Sequence, residues 1–254
     1  IEFKPNGGFV TTVTWSPTAV AASTTAEQST TVPGAMPGMM VVVNKPTEQT
    51  ALGVCNARIT AVSTVAVTFA NISSVAITPT ASESYVFALV PTLHAASPIV
   101  QYAFPGTTFA GSCGISTTTE FTSALVNMAA TDYAVGHTED AAQAGIFVSN
   151  VRVNSSGVLG VAWANVSSGA LTPTSSSMYG YTILRPELAP AVWVTSGAFP
   201  GTTVPATTTV EITTTVNGIA TSSVVFANKQ FHTAGIGIAN VRVSAADTVA
   251  VALF

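Results

Sequence analysis

Glutamate and arginine side chains recur along this chain at nearly constant spacing, and they are the residues best suited to polar chemistry. The glutamates are Glu27, Glu120 and Glu211, and the arginines are Arg58, Arg152 and Arg242. Each arginine belongs to an Asn-x-Arg-(Ile/Val) tetrad that begins 29 or 30 residues after its glutamate. A carboxylate and a guanidinium at matched positions can form an ion pair with two parallel hydrogen bonds. Because an enzyme rarely needs three identical sites, we predict three structural ion pairs across a sheet, with contact to a partner protein as the alternative.

Catalytic and metal-binding patterns are weak elsewhere in the chain. His94, His137 and His232 have no histidine or cysteine partner at the spacing of metal ligands. The run HTED at 137–140 could hold a cation or a catalytic group, but it is more typical of a capped loop or short helix. The run GSCG at 111–114 lacks the Gly-x-Ser-x-Gly pattern of a nucleophile turn. We therefore expect no catalytic residues, no metal site and no cofactor, and we predict that the protein is not an enzyme.

Low charge is the dominant feature of the composition. Charged residues make up 7% of the 254 residues, the net charge is −4, and the mean hydropathy is +0.51. The best apolar run, at 39–43, is far shorter than the roughly 20 residues of a membrane-spanning helix. The basic residues are scattered, whereas nucleic-acid binding requires a cluster of them. We therefore predict neither a membrane nor a nucleic-acid partner, and we attribute the apolar composition to surfaces buried against other proteins.

The two cysteines, Cys55 and Cys113, fall at unrelated positions and fit no metal pattern or disulfide framework. We expect both cysteines to be free thiols, with a disulfide between them as the alternative.

The elements that would position the ion pairs are β-strands. Threonine, valine, alanine and serine dominate, and β-branched residues favour pleated, half-buried strands. In TVAVTF at 64–69, large residues alternate with small ones, so one face of the strand is apolar. Each tetrad and the strand after it flank a short turn, which predicts a hairpin, with Gly157 at a left-handed turn position. The best candidate for a short helix is 139–144.

Three related segments follow one another along the chain, and their tetrads are 94 and 90 residues apart. This period suits small autonomous β-modules rather than a solenoid. We predict an all-β chain of tandem small β-sandwich or barrel modules, which we call the first, second and third segments, at residues 10–92, 93–188 and 189–254. The first two segments continue into a Thr-Pro-Thr turn and a tyrosine-containing strand, whereas the third stops at Phe254, so we expect it to be truncated.

Residues 1–9 form a predicted N-terminal arm that has no counterpart in the other segments. Its candidate assembly residues are Ile1, Phe3, Lys4 and Phe9. The arm could supply the strand that the third segment lacks, either within the chain or in a neighbouring subunit. The alternatives are a short sheet edge or a chain that continues past Phe254.

The sequence from 32 to 89 resembles a β-module common in structural proteins of tailed bacteriophages. The matching elements are a Pro-Gly turn, a valine-rich strand ending in Asn-Lys-Pro, the tetrad strand, the strand TVAVTFAN, and a segment from AITPTA to a tyrosine, at 37–38, 41–46, 56–59, 64–71 and 76–85. The second and third segments match from the tetrad strand onward and depart at the Pro-Gly turn.

This resemblance implies a capsid decoration, or cement, protein. Such a protein would lie on the outer capsid surface of the virion and stabilise contacts between major capsid subunits. Its expected partners are the major capsid protein and further copies of itself, with a homotrimer favoured and a dimer possible. The alternative is a fibre or tail component, or an adhesin that binds a host receptor or glycan.

Overall fold

The chain is described here from a computed structural model. The structure describes residues 2–3, 9–91, 99–105, 111–125, 128–138, 140, 142–174, 178–184, 202–230 and 232–254. The regular structure in these ranges is β-strand throughout, so the predicted all-β fold class is confirmed. None of the described residues belongs to a helix that could cross a membrane.

The strands of the first segment and the arm are β1 (Glu2–Phe3), β2 (Phe9–Trp15), β3 (Thr24–Thr31), β4 (Met39–Asn44), β5 (Leu52–Ala61), β6 (Thr64–Asn71) and β7 (Glu83–Pro91). The strands of the second segment are β8 (Ile99–Pro105), β9 (Thr117–Ala124), β10 (Tyr133–Thr138), β11 (Ile146–Ser155), β12 (Val158–Asn165) and β13 (Met178–Leu184). The strands of the third segment are β14 (Val210–Thr215), β15 (Ile238–Ala245) and β16 (Thr248–Leu253).

The first segment folds into a sandwich of two antiparallel sheets. One sheet has the strand order β1-β2-β7-β4, and the other has the order β3-β6-β5. Val65, Val67 and Phe69 of β6 are fully buried in the core between the sheets, as the alternating pattern predicts. Tyr85 and Phe87 of β7 meet them from the other sheet and are also fully buried.

The second segment repeats this architecture. Its sheets have the orders β10-β13-β8 and β11-β12-β9. Leu159, Val161 and Trp163 occupy the core positions of β12, and Tyr181 and Ile183 of β13 face them. The first two segments are therefore small β-sandwich modules.

The third segment has one described sheet, in the order β14-β16-β15. Its core consists of Val241, Val249 and Val251, which pack against partly buried residues that include Val216 and Val225. Residues 202–230 and 232–254 contain no second sheet. Every described sheet thus takes its strands from a single predicted segment, apart from β1, which lies in the predicted arm.

The predicted hairpins are present in all three segments. In β5–β6, β11–β12 and β15–β16 the register shifts twice at equivalent positions, so the same pair of bulges recurs in each hairpin. The turn residues Ser63, Gly157 and Asp247 have φ values of 56°, 73° and 57°. The left-handed position predicted for Gly157 is therefore confirmed, and two non-glycine residues adopt it in the other hairpins.

Two sequence-based expectations are wrong within the described residues. Residues 142–144, at the end of the candidate helix, lie in a loop, because Gln143 is tied by its side-chain amide to the backbone of Thr172 and Thr174. β1 pairs with β2, and β2 pairs with β7, so these strands complete the first sandwich and not the third segment.

Among the four candidate assembly residues, Phe9 is 5% exposed and packs in the core of the first sandwich. It is therefore a core residue and does not serve as part of a free arm. Phe3 lies in β1, while Ile1 and Lys4 lie outside the described residues.

We expect Gly157→Ala to destabilise the protein by about 1 kcal/mol, because an alanine side chain is strained at positive φ. Gly169→Ala is the matched control, since Gly169 has open space around its Cα and is not left-handed. Chemical denaturation would measure both free energies of unfolding. Equal values for the two variants would contradict the prediction.

Candidate functional site

The structure brings each predicted glutamate and arginine together as a bidentate ion pair. Nε and Nη2 of each arginine donate to the two carboxylate oxygens of its glutamate at distances between 2.7 and 3.0 Å. The pairs are Glu27–Arg58, Glu120–Arg152 and Glu211–Arg242. All six side chains are 12–21% exposed, so they lie partly shielded from water.

The register of each three-stranded sheet explains why the two residues meet. Glu120 on β9 lies opposite Ala162, and Arg152 on β11 lies opposite Gly160, so both side chains cross the central strand β12 on one face. A Cβ at Gly160 would lie 3.2 Å from the Glu120 carboxyl carbon. Alanine occupies the equivalent positions 66 and 250, opposite Arg58 and Arg242. A small residue on the central strand therefore leaves room for the ion pair.

A second repeated feature joins the three segments to one another. Thr25, Thr118 and Thr209 lie two residues before the three glutamates and are 7%, 3% and 8% exposed. The Thr25 hydroxyl donates to the Gln143 carbonyl at 3.0 Å and accepts from the Gly145 N–H at 3.0 Å. The first segment is thereby bound to the second.

The same contact recurs at the other two junctions. The Thr118 hydroxyl donates to the Thr233 carbonyl at 3.2 Å and accepts from the Gly235 N–H at 3.0 Å. The Thr209 hydroxyl accepts from the Ala51 N–H at 2.9 Å and donates to a Glu48 carboxylate oxygen at 2.5 Å. The second segment is bound to the third, and the third is bound back to the first.

The three equivalent threonine contacts form a closed ring. They join the first segment to the second, the second to the third, and the third to the first. A head-to-tail contact that returns to its starting point requires cyclic symmetry, here with three members. The single chain therefore has a pseudo-threefold axis that relates its three hairpin sheets.

Asparagines make a further set of contacts near this axis. Asn150 exchanges two hydrogen bonds with the Lys229 backbone, at 3.0 and 2.9 Å. The Asn240 amide donates to the Lys45 carbonyl at 3.3 Å, which is the equivalent contact between the third and first segments. Each of these asparagines is the first residue of an Asn-x-Arg tetrad. The tetrad therefore supplies both the arginine of an ion pair within its sheet and an asparagine that contacts another segment.

An open cavity of about 160 Å³ lies where the three segments meet. Residues of β4, β5, β10, β11 and β15, together with residues 225–228, line it. Valine side chains and asparagine amides predominate, and no carboxylate or histidine is among the lining residues. The described part of the chain holds no group of three or more metal-ligating side chains.

The remaining candidate residues that the structure describes do not assemble into a site. Cys55 and Cys113 are free thiols, and burial raises the pKa of the Cys55 thiol. Cys113 is fully buried in the second core. His232 Nε2 lies 3.1 Å from the Thr118 hydroxyl at a segment junction. His94 and the side chain of His137 lie outside the described residues.

Two features of the site are missing from the sequence-based predictions. The threonine two residues before each glutamate is a recurrent signal, but it is hidden in threonine-rich strands. Lys45 and Glu83 form an ion pair at 2.8 Å, with side chains only 1% and 8% exposed, in the first segment. No counterpart of that pair is evident from the repeat.

The chain matches no protein-family model, no curated protein and no solved structure.

We expect Arg152→Met to destabilise the protein by about 1–3 kcal/mol, between the values for exposed and buried pairs, because Glu120 keeps its charge without a partner. The double variant Arg152→Met/Glu120→Leu is expected to recover part of the loss. Thermal and chemical unfolding would measure both. A single variant as stable as the parent would show that the ion pair contributes nothing.

We expect Thr118→Val, which preserves side-chain shape, to cost about 0.5–1.5 kcal/mol, because it removes the hydroxyl that accepts from the partly buried Gly235 N–H and donates to the Thr233 carbonyl. Thr122→Val is the control, since Thr122 lies on the same face of β9 and is exposed. Hydrogen exchange at Gly235, together with chemical denaturation, would report the effect. Equal losses for Thr118→Val and Thr122→Val would refute a specific role for the buried hydroxyl.

Proposed function

We propose that this protein is a virion structural protein of a tailed bacteriophage, a decoration protein that binds the outer surface of the capsid. Its partner is the major capsid protein, and its role is to stabilise contacts between neighbouring capsid subunits. The proposal combines the resemblance of residues 32–89 to phage β-modules with the geometry of the ring.

The observation that carries the proposal is the closed pseudo-threefold ring formed by the buried threonines. A ring of three equivalent sheets presents similar surfaces in three directions. Such a molecule can contact three symmetry-related subunits of a lattice at once, and each added contact increases the overall affinity. A threefold position of an icosahedral shell is a partner with matching symmetry.

The ring also changes the number of chains that we propose at each threefold site of the capsid. The resemblance to decoration proteins favours a homotrimer, with a dimer possible. Since one chain already has a threefold arrangement, we propose that a single chain occupies each site.

The surface chemistry supports a protein partner. Beyond each ion pair the outer strand continues into exposed, uncharged, small residues, namely Ser29 and Thr31, Thr122 and Ala124, and Thr213 and Thr215. Small uncharged side chains lose little hydration or conformational entropy when another protein covers them. The same face is thus suited to contact in all three segments.

The adhesin alternative has less support. Sugar binding by stacking needs exposed aromatic rings, but Trp163 is 1% exposed. Trp15 packs against Phe69 and Tyr85, with ring centroids 5.6 and 5.3 Å apart. Trp193 lies outside the described residues.

Quantitative peptide mass spectrometry on purified particles of the source virus would test the proposal. We expect about one copy of this chain for every three major capsid subunits, because a threefold site is shared by three subunits. A ratio near one to one would instead indicate three chains at each site. A few copies per particle, or none, would overturn the decoration function.

A further inference from the structure

The first sandwich buries a lysine and a glutamate at the end of its core. Lys45 directly follows β4, and Glu83 is the first residue of β7, the neighbouring strand in the same sheet. Their side chains are 1% and 8% exposed, although charged residues are rarely buried so completely. Lys229, at the equivalent place in the third segment, is only partly buried and donates to the Thr233 hydroxyl. The buried pair is therefore a special feature of the first segment.

The lysine amine and the carboxyl group lie in contact and are connected through the Thr47 hydroxyl. Nζ of Lys45 is 2.8 Å from Oε2 of Glu83. It donates to the Thr47 carbonyl at 2.9 Å and to the Thr47 hydroxyl at 3.1 Å, and this hydroxyl donates to Oε1 of Glu83. Oε2 itself has no hydrogen-bond partner among the described residues. A continuous route for protons thus joins Nζ to Oε1, while the nitrogen lies against the carboxyl group.

This arrangement is a costly way to keep two charges in a core. Removing two charges from water is repaid only when the remaining lone pairs and protons are also hydrogen-bonded. Oε2 does not meet that condition. An amide bond between the two side chains would carry no charge, so its formation would remove both buried charges.

We propose that Lys45 and Glu83 condense to form an amide bond, which covalently joins the end of β4 to the start of β7. The Thr47 hydroxyl first relays one proton from Nζ to Oε1, which leaves a neutral amine and a carboxylic acid. The Nζ lone pair then attacks Cδ of Glu83 to form the N–C bond. A second Nζ proton follows the same route to Oε1, the Cδ–Oε1 bond breaks, and Oε1 leaves as water with Oε2 as the amide oxygen. The fold supplies the close approach that such an intramolecular reaction needs.

Tyr85 provides a hydrogen-bond donor on the same face of β7 as Glu83. Its side chain is fully buried, and its hydroxyl has no hydrogen-bond partner in the described part of the chain. Burial and the negative charge of Glu83 both raise the pKa of Tyr85, so the phenol keeps its proton. Because Oε2 gains negative charge when Nζ attacks Cδ, a fixed O–H donor near this group favours the intermediate.

The bond would fix a strand end that also holds the third segment. The Lys45 carbonyl accepts from the Asn240 amide at 3.3 Å, so the same residue contributes to the contact between the first and third segments. A covalent link between residues 45 and 83 would also restrict the unfolded chain, as a disulfide does. The proposal rests on the contacts within the first sandwich and does not depend on the capsid function.

The mass of the intact, denatured and reduced protein would test the proposal. We expect the parent protein to be lighter than its sequence by one water molecule. Lys229→Met is the matched control and is expected to lose one water molecule as well. In Lys45→Met/Glu83→Leu, apolar side chains of similar size replace the buried pair, and we expect this variant to have the full mass of its sequence.

Digestion with trypsin would locate the bond. Trypsin cuts after Arg58 and so separates Lys45 from Glu83, whereas it does not cut after Lys45 because Pro46 follows. Under reducing conditions, which exclude a disulfide, the fragment that ends at Arg58 and the fragment 59–152 are expected to remain joined, with one water molecule missing. Tandem mass spectrometry is expected to place the link at Lys45 and Glu83.

The variant Thr47→Val would test the proton route. In samples taken at intervals after expression begins, we expect the linked form to accumulate at least about tenfold more slowly than in the parent, because the hydroxyl that transfers the protons is missing. A parent protein with its full sequence mass, two separate tryptic fragments, or a link at other residues would overturn the amide bond. Accumulation in Thr47→Val at the parent's rate would overturn the relay.

Discussion

The structure depends on one small polar contact that is made three times. A threonine near the start of each outer strand is buried at a junction between segments, where its hydroxyl accepts a backbone N–H from the next segment and donates to an oxygen there. The N–H groups of Gly145 and Ala51 are buried, and a buried N–H without an acceptor would cost about 1–3 kcal/mol, so these two junctions strongly favour the arrangement. Because the third junction returns to the first segment, the three sheets form a ring and not an open row.

The ion pairs stiffen the sheets that form this ring. Each pair crosses the central strand of its sheet and links the two flanking strands, which have no direct hydrogen bonds to one another. The small residue at position 66, 160 or 250 allows the side chains to lie flat across that strand. The tetrad asparagine lies two residues from the arginine and reaches the neighbouring segment in the second and third segments. Rigidity within a sheet and contact between sheets are therefore coupled in one short motif.

The edges of the sandwiches are protected by the same assembly. β4 and β10 are edge strands, and an exposed edge can pair with other chains. Both lie beside the axial cavity, where the Asn228 amide of the third segment donates to the Ala134 carbonyl of β10, and the Asn44 side chain of β4 exchanges hydrogen bonds with the Val225 backbone. In the third segment, residues 224–229, whose sequence VVFANK parallels MVVVNK at 40–45, are likewise bound by asparagines, because the N–H groups of Val225 and Lys229 donate to the side chains of Asn44 and Asn150.

The sequence by itself determined the local structure of the repeats. Alternating large and small residues in TVAVTF predicted the buried face of β6, and the tetrad predicted both the hairpin and the residues of each ion pair. The buried face and the hairpin depend on strand alternation and neighbouring residues, and the ion pairs, whose partners are 31 or 32 positions apart, recur at constant spacing in all three segments; a single sequence records both kinds of pattern. Only the tertiary structure decided that Phe9 belongs to the first core, that the three threonines join different segments, and that the segments close into a ring. The threonine contacts join residues 115 to 161 positions apart, and their formation depends on how whole sheets pack, which no local spacing specifies.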